Sequence, residues 1–388
     1  MGILSNTASI CQFRVEGNPP AADLFAWVGE RLNGDGFRSI DHTAEELSVG
    51  WVHIDDAKES SFVSPSTFQR DHYIAFSLRR DQRRVPANLF RAHMEMAERE
   101  FLIAHPGLQR VPKQKKEELR DAVRGALLSK TLPAPSIYDA VWDTRTGLVT
   151  FASLSPKMVE QFENLFKQTF EVLRLVAIHP FARAENVLED SLKPALGKAN
   201  GASTDNALDL IKDNRWLGWD FLLWLMYRTM NETSEYRVSL TGPALEQELF
   251  VAYLNDRLIL LGGGDGGVQK ITVAGPQDNF REVRTALQNG KQINEAIIYL
   301  EKQEHLWKMT LKGEMFHFAS YKAPPVKIEK DNRTDEVSER EAVFYERMYV
   351  LEEGLQLFDS LYAAFLGERL GDGWSEQKRK IEEWLADD

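Results

Sequence analysis

Two interruptions, His105–Gly107 and Leu132-Pro133, constrain what this chain can fold into. They bracket apolar patterns of helical period and divide the stretch from Tyr73 to Leu154 into a fixed order of elements. Tyr73–Arg79 alternates as a half-buried strand does. A polar turn is expected at Arg80–Arg84, closed by Pro86. The spacing then predicts a helix from Ala87 to about Ile103, with Leu89, Phe90, Met94, Ala97, Phe101 and Leu102 apolar. His105–Gly107 breaks it. A second helix is expected from Lys113 to about Leu128, with Leu119, Val123, Ala126 and Leu127 on a narrow apolar stripe. Ile137–Asp143 and Leu148–Leu154 read as two strands joined by a turn at Thr144–Gly147. The reading is a helical hairpin inserted between strands of one sheet.

The charge on the insertion is as informative as its shape. The chain carries a formal net charge of −12. Between Arg79 and Lys130 the balance reverses. Arg79, Arg80, Arg83, Arg84, Arg91, Arg99, Arg110, Lys113, Lys115, Lys116, Arg120, Arg124 and Lys130 are opposed by fewer acids. A local cation excess in an anionic protein points to a focused site for a polyanion. At 3.6 residues per turn, Lys113, Lys116, Arg120 and Arg124 share a face, and Lys115 lies off it. Arg110 precedes that helix. Arg79, Arg80, Arg83 and Arg84 are expected at the base of the same protrusion. These positions, Lys115 apart, are the candidate polyanion-binding residues.

Elsewhere the pattern is α+β: antiparallel sheets with helices on one face, a protruding basic helical hairpin and a long C-terminal helix. The expected organisation is an N-terminal unit over residues 1–181 with the hairpin at about 86–131, a linker at 182–205 rich in breakers, and a C-terminal unit over 206–388. Asn206–Met230 reads as one hydrophobic helix. Tyr236–Thr241, Leu249–Tyr253, Leu258–Leu261 and Val268–Val273 read as strands. Phe280–Gln288 reads as a short helix, followed by a meander through Tyr321. Residues 327–341 read as an exposed loop, and Ala342–Phe365 as a long amphipathic helix.

Several chemistries are weighed against plainer readings. The glycines of Gly262–Gly267 are followed by a strand pattern rather than a helix, which fits a hairpin turn and not a phosphate loop. The eight histidines have no i, i+3 or i, i+4 pairing, and Cys11 is the single cysteine, so neither zinc nor a disulfide framework is expected. Glu246, Glu248 and Asp256 flank strands and fit a solvated face better than a magnesium site. The aromatic run Trp216–Tyr227 covers both sides of a helix and reads as core. No cofactor is expected. No signal peptide is read at the N-terminus, and the most apolar window, Trp216–Met226, is interrupted by Asp220 and too short to span a bilayer. The expected setting is cytoplasmic and nucleoid-associated.

The order of Gly50–Val52, Tyr73–Arg79 into Val85-Pro86, the helix from Leu89, Arg110–Lys116 leading into Glu117–Leu128, Leu132-Pro133, and Trp142–Leu148 resembles the RdgC family of bacterial recombination-associated proteins. The resemblance runs from Gly50 to about Pro180 and returns at Glu282–Leu300 and Ala342–Leu366. It implies an α+β homodimer closed into a ring around duplex DNA, bound with little sequence preference. It makes the candidate polyanion-binding residues candidate DNA-binding residues. It also implies antagonism of the RecA recombinase by occupancy of DNA. No catalysis is expected. Single-stranded DNA is a further expected ligand. Where the family often has Arg-Ala-Phe after Leu-Pro, this chain has Ala134–Ile137. Two other classes stay open at this point: a metal-dependent nuclease, marked by carboxylates converging near a lysine, and a protein-interaction module that uses the basic hairpin.

Overall fold

The computed structural model describes residues 2–20, 23–43, 45–264, 267–275, 280–326 and 335–386. The chain is α+β, with antiparallel strand pairing in its sheets. It divides into two compact units, one formed by Gly17–Thr144 with Phe162–Arg174, the other by Met1–Glu16, Arg145–Gln161 and Leu175–Asp388.

The first unit is built on strand Tyr73–Gln82, which lies antiparallel between Leu47–Val52 and Ala134–Asp143. Ile74, Ala75, Phe76 and Leu78 are wholly buried. Trp51 stands edge-on to Phe76 at 5.0 Å and to Phe162 at 5.9 Å. Its indole N–H donates to the Thr169 hydroxyl at 2.8 Å, which donates in turn to Asp35 at 2.8 Å. The buried ring therefore leaves no unpaired donor.

The expected turn at Arg80–Arg84 is corrected. The strand continues through Gln82, and Arg80, Asp81 and Gln82 pair with Ser136, Pro135 and Ala134 on one side and with Val49, Ser48 and Leu47 on the other. A polar run persists inside a sheet because its charges are met locally. Arg79 donates to Asp81 at 2.9 and 2.8 Å, and its guanidinium lies 4.3 Å over the Phe37 ring. The Asp81 hydrogen bond raises the Arg79 pKa further.

In the second unit the strand order is Gly267–Val273, Leu249–Gly264, Gln292–Lys302, His305–Lys312, His317–Lys322, Thr7–Gly17, Leu148–Phe151, all neighbours antiparallel. Helices Trp216–Asn231 and Glu336–Leu370 fill its core through a ring cluster in which Phe221 meets Phe316, Phe358, Tyr362 and Phe365 at 5.4 to 5.9 Å. The aromatic run Trp216–Tyr227 is accordingly core, as its two-sided pattern implies. Gly354 lets the long helix approach the sheet: a Cβ there would lie 2.2 Å from the Tyr321 hydroxyl.

Several expectations are corrected in this unit. The segment expected as a linker holds helices Pro180–Val187 and Lys193–Ala199, with Ala184, Val187 and Leu196 buried. Arg183, buried within it, pairs with Asp359 and with the Gln12 side chain, so a charge that reads as linker is part of the core. The helix expected over Asn206–Met230 is split into Ala207–Asp213 and Trp216–Asn231. At the break, buried Asn214 donates to Leu210 O at 3.0 Å and accepts from Gly201 N at 3.0 Å. Leu249–Tyr253 and Leu258–Leu261 are one strand, Leu249–Gly264, with register shifts opposite Ile293–Ile298 and a positive φ of 63° at Asp256. The glycine run closes a hairpin, with Gly264 opposite Gly267; residues 265–266 lie outside the described residues. The long helix begins at Glu336 rather than Ala342, and residues 327–334 of the expected loop lie outside the described residues.

Candidate nucleic-acid interface

The hairpin consists of helices Ala87–Ala104 and Lys113–Leu128, within about a residue of expectation. Each begins after a proline, Pro86 and Pro112, whose carbonyls accept from Phe90 N at 3.0 Å and Lys116 N at 2.9 Å. Proline presets the φ needed at a helix entrance. The first helix ends where the His105 ring stacks on Phe101 at 4.2 Å and its Nδ1–H donates to the Phe101 carbonyl at 2.9 Å. Thr131 closes the second helix by donating its hydroxyl to Leu127 O at 2.7 Å.

Little of the hairpin is buried. Only Met94, Leu127 and Leu128 among its helical residues lie in the core, while Leu89, Met96 and Ile103, seven residues apart, face outward. The helices hold together largely on half-buried side chains such as Phe101, Leu119 and Val123. Most of the surface of this element is thus available to a partner.

Its electrostatics separate the candidate cations into three groups. Arg80 and Arg83 are buried. Arg83 donates from Nη1 to Leu128 O at 3.1 Å and from Nη2 to Ile40 O at 2.5 Å and Asp41 O at 3.1 Å. It therefore ties the root of the second helix to the loop at Ile40, and with Arg80 and the Asp81-paired Arg79 it serves the sheet and the hairpin root. The second group is exposed but paired: Lys116 with Glu98 at 2.7 Å, Arg124 with Glu46 at 2.7 Å and Lys115 with Glu118 at 2.8 Å. Exposed pairs of this kind contribute little stability and are readily exchanged for another anion. The third group, Arg84, Arg110, Lys113 and Arg120, is exposed with no carboxylate partner among the described residues. Arg84 does donate to Gln82 at 2.9 Å.

The Lys116–Glu98 pair fixes which sides of the two helices lie together. Arg91 is seven residues before Glu98 and so on the same stripe of the first helix. Arg91 and Arg99, both exposed and without a carboxylate partner among the described residues, join Lys113 and Arg120 as cations of the hairpin. The selection of candidate residues missed these two, although helical spacing to Glu98 was available to find Arg91. The first turn of the second helix has no acid. Lys113, Lys115 and Lys116 there oppose the helix dipole, a placement that costs helix stability and strengthens the positive field. The hairpin presents exposed cations of the type that contact phosphates.

The carboxylates weighed as a magnesium site do not converge. Glu248 accepts from Lys302 Nζ at 2.8 Å, and Lys302 also donates to Glu353 at 2.9 Å, so an ammonium stands between these two acids. Asp256 is engaged by Lys308 at 2.7 Å and by the Tyr299 hydroxyl, and Lys308 first, then Tyr299, hold its carboxyl below the usual range. Among the described residues no group of three or more His, Cys, Asp or Glu side chains could hold a metal ion. Among them, too, no helix is long and apolar enough to cross a membrane.

Fold and surface together define an α+β protein with a cationic helical protrusion. Residues 14–196, which include the whole hairpin, match the family described as "Putative exonuclease, RdgC". Over those residues the chain is similar to this family, which is recombination-associated. No curated protein matches the chain.

Proposed function

We propose that this chain is a sequence-independent duplex-DNA-binding protein that grips phosphates with its helical hairpin and does not cut the DNA it holds. The observation that carries the reading is the set of exposed cations without carboxylate partners among the described residues, Arg91, Arg99, Arg110, Lys113 and Arg120, on an element with almost no core of its own. Phosphate contacts supply affinity without sequence information. The working form is a homodimer closed as a ring around the duplex, and occupancy of DNA restrains RecA-dependent recombination. Its place is the cytoplasm, on the nucleoid, and single-stranded DNA is a weaker ligand of the same surface.

The family description favours a second reading, an exonuclease. Lys302 between Glu248 and Glu353 argues against that pair as the metal site, because the ammonium stands where a divalent ion would bridge them. One experiment separates the readings: titration of end-labelled linear duplex with the protein, with and without Mg²⁺ or Mn²⁺, at several salt concentrations. Binding that weakens steeply with salt and leaves the ends intact supports the proposal. Metal-dependent release of nucleotides overturns its non-catalytic part, and binding indifferent to salt overturns its DNA site.

A further inference from the structure

Strand Gly267–Val273 ends the sheet of the second unit. It pairs with Leu249–Gly264 on one side, and on the other side no strand among the described residues meets it. It is exposed or half-exposed at every position, with Val268 77% exposed. A free edge of this length presents a row of backbone donors and acceptors, and Val, Ile and Thr suit it to β pairing. Proteins usually blunt such an edge with charges, a proline or a bulge. This one carries a single charge, Lys270, and pairs in unbroken register from Gly267 to Val273.

Lys270 lies at the centre of the strand and has no carboxylate partner among the described residues. It shares the face of Val268 and Thr272, because successive side chains alternate. The position of this charge discriminates between occupants. A second copy of the chain, paired antiparallel over the full strand, would set the two copies of Lys270 directly opposite each other, and like charges so placed are destabilising. A strand with an acid at that point gains the opposite-charge pair together with the backbone ladder. We propose that the edge Gly267–Val273 is a β-augmentation site for an extended peptide segment of another protein, β-branched in character, with a carboxylate opposite Lys270. Pairing supplies affinity through the main chain, and Lys270 selects the partner. The site is separate from the hairpin and does not depend on DNA binding.

The test uses the full chain and two labelled seven-residue probes of alternating Thr and Val, one with Glu at its centre and one with Lys. Fluorescence anisotropy should rank the Glu probe about three- to fivefold above the Lys probe, the size expected of one cross-strand charge pair. Lys270→Glu should reverse that ranking. Because this side chain is exposed, the variant keeps its fold, checked by circular dichroism. Hydrogen exchange should slow across 267–273 when the Glu probe is added. An absence of such slowing at millimolar probe, or a ranking that Lys270→Glu leaves alone, overturns the proposal. Slowing of the same amides with rising protein concentration and no probe would assign the edge to a second copy, and equally overturns it.

Discussion

Lys116 Nζ lies 2.7 Å from Glu98 Oε1, across the seam between the two hairpin helices. Both side chains are in contact with solvent, at 58% and 28% exposure, so the pair is a weak clasp, one that a phosphate can replace. Its larger effect is on the field: Glu98 cancels one cation of the stripe formed by Lys113, Lys116, Arg120 and Arg124. Glu98→Gln should therefore strengthen binding to duplex and steepen the log–log salt dependence by up to about 0.9, the increment for one additional phosphate neutralised. Isothermal titration at four or five salt concentrations measures the slope. A slope unchanged or shallower than that of the parent protein would count against phosphate contact at Lys116.

Arg83 leads to the opposite expectation. Its guanidinium is spent on the carbonyls of Leu128, Ile40 and Asp41 at 2.5 to 3.1 Å and is buried. Arg83→Ala removes the side-chain donor shared by those carbonyls, although Leu128 O and Ile40 O keep Thr131 N and Thr43 N, and opens space at the hairpin root. The cost should be about 2–4 kcal/mol, within the range for loss of a buried charged hydrogen-bond network. Urea unfolding would show it as a lower midpoint. Protein that remains folded should keep the parent salt slope, which distinguishes this residue from Lys113 or Arg120.

What could be read from the chain follows from where each group finds its partner. The hairpin is set by local terms: prolines at each helix entrance, a Pro-Gly break, and apolar spacing. Its second helix spans Lys113–Leu128, the span the pattern implies. The strand extension through Gln82 depends on Ser136, Pro135 and Ala134, more than fifty residues away, and nothing local announces that Arg80 and Asp81 will be buried. The same holds for Arg183, whose partners Gln12 and Asp359 lie far off on either side along the chain. Charge counting located the candidate interface. It could not sort the interface, because pairs such as Arg124 with Glu46 form between elements that sequence leaves unconnected.

His317 gives the second unit a pH dependence. Burial, and then the like charge of Lys312, push its pKa down to about 4. The unfolded chain takes up this proton near pH 6.5, so between pH 6.5 and about 4 it binds more protons than the folded chain, and stability falls as the solution is acidified. The penalty is absent above pH 6.5 and complete below about 4, where it reaches at most about 3 kcal/mol. Carboxylates also titrate in the lower part of this window. The informative quantity is therefore the difference between the parent and His317→Gln, measured by urea unfolding at pH 7.5, 6, 5 and 4.5. The two should lose stability at different rates on acidification, the variant more slowly. Parallel curves would place the titration elsewhere.

The distinction between free and paired cations is itself testable. Among the described residues Arg110, Lys113 and Arg120 have no carboxylate to give up, so each phosphate contact they make releases a counterion in full. Lys115, Lys116 and Arg124 must first leave Glu118, Glu98 and Glu46. Exchanging one anion for another releases fewer counterions from the DNA–protein system as a whole, because the freed carboxylate recruits a cation from solution. Changing Arg110, Lys113 and Arg120 together to Ala should flatten the salt slope by up to about three units of 0.9, and should do so alike on unrelated duplex sequences. The matching triple change of Lys115, Lys116 and Arg124 should flatten it less. All six side chains lie at the surface or half-buried, and such substitutions usually stay within about 0.5 kcal/mol each, so circular dichroism should find both variants folded. If the first variant is folded and binds with the parent slope, the hairpin is not the DNA site. If the two variants flatten the slope equally, the hairpin remains the site, but the ion pairs seen on it do not persist in solution.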